Sequence, residues 1–99
     1  MNKGQKDIDS WFKEVSFSYW SPHEMLARVT EEVGELARLV NHEYGPKVKK
    51  STEREQEFSD EIGDIIFALA CFANTHNIDL DKALADSLEK SKNRDKDRF

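Results

Sequence analysis

Apolar residues recur at helical spacing along most of the chain, and what interrupts them is helix punctuation. Met25, Leu26, Val29, Val33, Leu36, Leu39 and Val40 form a stripe with a period near 3.6. Ahead of it, Ser21-Pro22-His23-Glu24 supplies a capping hydroxyl, a proline suited to the first helical turn and an acid three residues after the serine. Behind it, Gly45-Pro46 joins a C-terminal glycine to a helix breaker. A long helix between these two signals is the firmest structural expectation.

The same grammar repeats on either side. After a basic loop from Lys47 to Ser51, Thr52 and Glu55 make a capping box opening a helix through Phe58, Ile62, Ile65, Ile66, Leu69 and Phe72, with Asn77 as its end. Between Ile62 and Ala73 this helix is apolar on nearly every side, as expected of an element packed against several neighbours, some of them from another subunit. Asp79 caps a last helix carrying Leu80, Ala83, Leu84 and Leu88, which runs out into a charged tail. A shorter first helix passes through Ile8, Trp11, Phe12 and Val15, and the aromatics Phe17, Tyr19 and Trp20 link it to the second. No strand-period segment, repeat or low-complexity stretch competes. The expected fold is all-α and four-helix-bundle-like, a short N-terminal helix plus three main helices, forming one domain over residues 1–99 with a flexible charged tail at 90–99.

Composition narrows the function classes. A chain of 99 residues, 35% charged and 37% hydrophobic, is apolar enough to fold. It is also short enough to bury only a modest share of its surface alone, so a homo-oligomer is expected. The net charge of −5 argues against nucleic acid or anionic membrane as partners, both of which need a basic surface. A single cysteine, Cys71, lies in an apolar run and points to a cytoplasmic protein. The polar Met1–Asp9 segment has no signal-peptide core, and no apolar run is long enough to span a bilayer.

The chemistry lies in the acids. Glu32 and Glu35, three apart in Glu31-Glu32-Val33-Gly34-Glu35, stack on one face of the second helix beside the apolar stripe. Glu61 and Asp64 repeat that spacing on the third helix, beside Ile62, Ile65 and Leu69. Packed antiparallel, two helices can bring both pairs to one level. Like charges gathered at the edge of a core repel unless a cation is present, and an oxygen-only set suits Mg²⁺ or Mn²⁺ better than Zn²⁺. A ferritin-like di-iron site would need Glu-x-x-His, and none of His23, His42 or His76 has an acid three residues before it. Gly34 and Gly63, one inside each motif, suggest close packing or ligand approach. Spacing alone leaves a merely solvated acidic face open.

From Trp20 to Phe72 the chain resembles the MazG-type members of the all-α nucleoside triphosphate pyrophosphohydrolase superfamily, whose signature is Glu-Glu-x-x-Glu followed by Glu-x-x-Asp. The matching residues are Glu31-Glu32-Val33-Gly34-Glu35 and Glu61-Ile62-Gly63-Asp64. The resemblance implies Mg²⁺-dependent hydrolysis of a canonical or altered nucleoside triphosphate, ribo or deoxyribo, to monophosphate and pyrophosphate, in a dimer or tetramer. It implies Glu32, Glu35, Glu61 and Asp64 as metal ligands and Glu31 as the residue that orients or deprotonates water. Lys90, Asn93, Arg94 and Arg98 resemble the family's substrate-binding segment, and Trp20 is a candidate for stacking on a base. Two other functions stay open on sequence: a related helical pyrophosphohydrolase acting on phosphoribosyl-ATP, and a non-enzymatic acidic module that binds a partner protein.

Overall fold

A computed structural model describes the backbone of residues 1–43 and 51–96, and the side chains of 1–42 and 54–96. It contains four helices, α1 (Lys3–Glu14), α2 (Pro22–Glu43), α3 (Ser51–Thr75) and α4 (Leu80–Asp95), and no strand among the described residues. The chain divides into two compact units, one of residues 1–19 and 73–99, the other of residues 20–72. Among the described residues, no helix is long and apolar enough to cross a membrane.

The helix boundaries follow local chemistry. At the start of α2 the Ser21 hydroxyl accepts the Glu24 N–H and donates to the Glu24 carboxylate, so the cap expected there forms. Asp79 accepts the Asp81 and Lys82 N–H groups at the head of α4. At the end of α3, Asn77 takes the left-handed conformation with φ 54°, and the Ile78 N–H reaches back to the Ala73 carbonyl at 2.9 Å. That six-to-one bond is the Schellman closure, and asparagine is the residue after glycine that best tolerates its geometry. The Gly45-Pro46 stop, the basic loop before Ser51 and the Thr52 hydroxyl of the expected capping box lie outside the described residues. The last helix does not fade at Lys90 but continues to Asp95, with Lys92 and Arg94 placed favourably at its negative end.

In the unit of residues 1–19 and 73–99, Phe12 is buried at the centre of an aromatic group, its ring 4.8 Å from Tyr19 and 5.0 Å from Phe17. Gln5 and Asn74 are buried beside it and bond to each other. The apolar side chains of α4 take little part in a core: Leu84 and Leu88 are exposed, Leu80 is half-buried and no residue of the helix is fully buried.

In the unit of residues 20–72, α2 and α3 run antiparallel: Glu32 meets Glu61 and Asp64, while further along α2 Arg38 feels the charge of Glu57. Met25, Ala68, Ala70 and Cys71 are buried. The expected apolar stripes each split in two. On α2, Met25, Val29, Leu36 and Leu39 are covered while Leu26, Val33 and Val40, seven apart, are exposed. On α3 the inward face follows Glu61, Ile65, Ala68 and Phe72, which rotates Ile62, Ile66 and Leu69 by about 100° to the outside. The residues of α3 that are fully buried are mostly small, Ala68, Ala70, Cys71 and Ala73.

Candidate functional site

Glu32 projects from the covered side of α2, next to Val29 and Leu36, because it shares their face at spacings of three and four. Glu61 opens the inward row of α3 one turn before Ile65, so the periodicity that builds the core also carries a carboxylate into it. Glu61 is 7% exposed, Glu32 is half-buried and Asp64 is exposed at the rim. One oxygen from each of the three lies within 4.8 Å of the other two.

This grouping is electrostatically incomplete. Glu61 shares a hydrogen bond with Glu32, and that bond, burial and the charges of Glu32, Asp64 and Glu35 push its carboxyl up to about 7. Its Oε1 is buried and has no hydrogen-bond partner. A buried, unpartnered acceptor among acids costs free energy as it stands, and a hard divalent cation is the kind of group that would supply what is missing. Oxygen donors from two helices, with no imidazole or thiolate among them, fit such an ion.

The other expected site residues are arranged differently. Glu35 does not join the three-acid group. It is gripped through both oxygens by Arg38, whose hydrogen bonds hold the Glu35 carboxyl below its ordinary range. Glu35 and Arg38 line a groove of ≈ 310 Å³ with Leu39, His42, Glu57, Asp60 and Glu61. Glu31 is exposed on the adjacent face of α2, in a second groove of ≈ 320 Å³ formed with Trp20, Glu24, Ala27 and Arg28. Arg28 also approaches Glu32, at 3.6 Å. Lys90, Asn93 and Arg94 are exposed on α4 in the other unit, where Arg94 pairs with Asp95 at 2.9 Å; Arg98 lies outside the described residues.

Close packing does not explain the glycines of the motifs. A Cβ added at Gly34 or Gly63 would meet nothing within 4 Å. Both sit on open helix surface, so the packing expectation fails within this chain.

Sequence reasoning missed Arg38 and Arg28. The signal was present: arginines at i+3 from Glu35 and i−4 from Glu32 are in pairing register on a helix. Gln5 and Asn74 were also missed, since nothing local marks a distant amide pair.

Comparison with known proteins identifies the family and the fold. The family described as the MazG nucleotide pyrophosphohydrolase domain matches residues 20–99. The uncharacterized protein YpjD of Bacillus subtilis (strain 168) is 46% identical over 95 residues, covering 96% of this chain and 86% of that protein. YvdC of the same organism, also uncharacterized, is 32% identical over 94 residues, covering 85% and 89%. A crystal structure of YpjD from Bacillus subtilis, described as a candidate pyrophosphatase, superposes with a TM-score of 0.76 at 42% identity, covering 96% of this chain and 95% of that one.

Proposed function

The chain belongs to the MazG nucleotide pyrophosphohydrolase family and is a pyrophosphohydrolase, and from that premise we propose a Mg²⁺-dependent enzyme cleaving nucleoside triphosphates, ribo or deoxyribo, canonical or altered. The products are the nucleoside monophosphate and pyrophosphate, and Mn²⁺ can substitute. The observation that carries this reading is the Glu61 carboxylate, which keeps a buried, unpartnered Oε1 and has an oxygen within 4.8 Å of oxygens of Glu32 and Asp64.

Glu32, Glu61 and Asp64 hold the cation, with Glu35 as fourth ligand one turn away on α2. When bound, the ion supplies neutralisation of phosphate oxygens and a more acidic water. Glu31, next in the chain to Glu32, orients water and takes its proton. The half-buried Trp20, in the same groove as Glu31, stacks on the base. Lys90, Asn93, Arg94 and Arg98 neutralise the phosphate end.

The exposed apolar rows Leu26, Val33, Val40 and Ile62, Ile66, Leu69 support assembly as a homo-dimer or tetramer, because rows of this kind are buried when helices meet across an interface. A lone, buried thiol at Cys71 supports a reducing, cytoplasmic setting. Residues 1–99 act as one functional domain, with neither nucleic acid nor membrane as partner.

The test is product analysis across the common ribo- and deoxyribonucleoside triphosphates, with Mg²⁺ and with chelator. Equal amounts of monophosphate and pyrophosphate, only with the cation, are expected. Orthophosphate release, or turnover indifferent to chelator, would overturn the proposal.

A further inference from the structure

Across from Glu35, α3 offers acids and no cation in the shared groove, namely Glu57, Asp60 and Glu61, and the Glu35 carboxylate turns to an arginine on its own helix. Arg38 holds it with two hydrogen bonds, from Nε and from a terminal guanidinium nitrogen. The guanidinium also stands in the field of Glu57 and Glu61, and all four residues line one groove. Arg38 thus brings a positive charge of the chain's own to the acidic groove. Such a cation has two possible uses: it neutralises the groove permanently, or it keeps one ligand in reserve and gives it up.

Two observations favour release. First, the pair is solvent-exposed, with the Glu35 side chain 42% and the Arg38 side chain 64% accessible, so water can take over either partner at small cost. Second, Arg38 neutralises Glu35 but leaves the Glu61 Oε1 without a partner, so its charge does not complete the three-acid group. Resting on the metal-site reading above, we propose that Arg38 is a displaceable counter-ion, which frees Glu35 when a divalent cation enters and then turns to the substrate's phosphates. A guanidinium matches both occupants, since its planar fork binds a carboxylate or a phosphate through the same two N–H groups. One charge therefore serves the empty and the loaded site in turn.

The exchange makes Arg38 a competitor of the metal and an ally of the nucleotide. Mn²⁺ binding is measured on the full chain by titration calorimetry without nucleotide. Binding of a non-hydrolysable α,β-imido nucleoside triphosphate is then measured at saturating Mn²⁺. Arg38→Gln should tighten Mn²⁺ by on the order of fivefold and weaken the analogue by about tenfold. Arg38→Lys, which keeps the charge but loses the fork, should fall between wild type and Arg38→Gln in both measurements. Lys82→Gln makes the same change in net charge at an ion pair on α4 and should alter neither. A role in folding alone cannot tighten one ligand while loosening the other. Unchanged or weaker Mn²⁺ binding by Arg38→Gln, or unchanged analogue binding, overturns the proposal while leaving the metal site intact. Absence of Mn²⁺ binding by the wild-type protein overturns both.

Discussion

Among the described residues, a polar cluster reaches into the interior of each unit, and the two are finished to different degrees. In the first, the Gln5 amide donates to Asn74 Oδ1 and the Ile78 carbonyl, and its oxygen accepts the Asn2 and Leu80 N–H groups. Asn74 returns the contact by donating to the Gln5 carbonyl and to the Tyr19 hydroxyl, which itself donates to Asp9. The Gln5 amide thus uses both its hydrogens and both its lone pairs without any outside group. In the second cluster, Glu32, Glu61 and Asp64 carry charge of one sign, share a proton between two of them and leave an oxygen unmatched. A polar cluster complete in itself is architecture, whereas one left unmatched in charge and hydrogen bonding is a candidate site.

The largest expected effect breaks the second cluster. Glu61→Gln keeps the size and shape of the side chain but removes a charge and a ligand. Mg²⁺-dependent pyrophosphate release should fall by roughly two orders of magnitude or more. In chelator the same variant should melt no lower than wild type, because a repulsion has been removed. Melting curves and product assays on one preparation check both halves. A large drop in melting temperature would move Glu61 into the class of Gln5.

Gln5→Leu is the matching change in the first cluster, and its sign is opposite. It strips partners from Asn74, the Ile78 carbonyl and the Asn2 and Leu80 N–H groups together. Stability should fall by about 2–4 kcal/mol, because several buried groups lose their bonds at once. Denaturant titration reads the loss, and a variant as stable as wild type would show that the network contributes nothing.

A smaller effect follows from the Glu61 carboxyl, about 7 in the folded chain against an ordinary value of 4.5. Between these values the folded state holds more protons than the unfolded state, so stability falls as pH rises. The Glu61 contribution is fully present below about 4.5 and lost as pH passes 7. In chelator, wild type should therefore lose melting temperature relative to Glu61→Gln between pH 5 and about 8. Saturating Mg²⁺ should remove that trend by holding the acid ionised. Parallel pH curves for the two proteins in chelator would contradict the assigned cause.

The second cluster was far more legible in the sequence than the first, for a physical reason. Acids at i and i+3 declare their shared helix face locally, and the pairs on α2 and α3 need only antiparallel packing to meet. Helix ends at Ser21, Asn77 and Asp79 were legible on the same ground, since caps act over three or four residues. Gln5 and Asn74 lie 69 positions apart, and no local rule couples them. Which side of each apolar stripe is covered within the chain was misjudged: Val33, Ile62 and Leu69 are exposed, while the covered rows run through Met25, Val29, Leu36 and Leu39 on α2 and Ile65, Ala68 and Phe72 on α3. The turn of Glu35 toward Arg38 escaped notice because pattern reading treated the acids as a set and not as individual charges with competing partners.

The smallest effect sharpens the description of the finished unit through its backbone. α1 closes by the same Schellman geometry as α3: the Ser16 N–H bonds to the Lys13 carbonyl at 3.2 Å and the Phe17 N–H to the Phe12 carbonyl at 2.8 Å. The Phe17 ring packs edge-on against Phe12, the apolar contact that accompanies this motif. Ser16 must therefore hold φ at 55°, where a Cβ crowds the backbone and serine offers less compensation than asparagine does. Glycine removes that crowding but loses more freedom on folding, so only part of the strain is recovered. Ser16→Gly should gain about 0.5–1 kcal/mol, a shift of a few degrees in melting temperature. Asn77→Gly, at φ 54°, should gain less than half as much, since asparagine already tolerates the left-handed region. Neither change should alter Mn²⁺ binding, as both act on a helix end and not on a ligand. An equal or larger gain at Asn77 would mean that the Ser16 closure is unstrained.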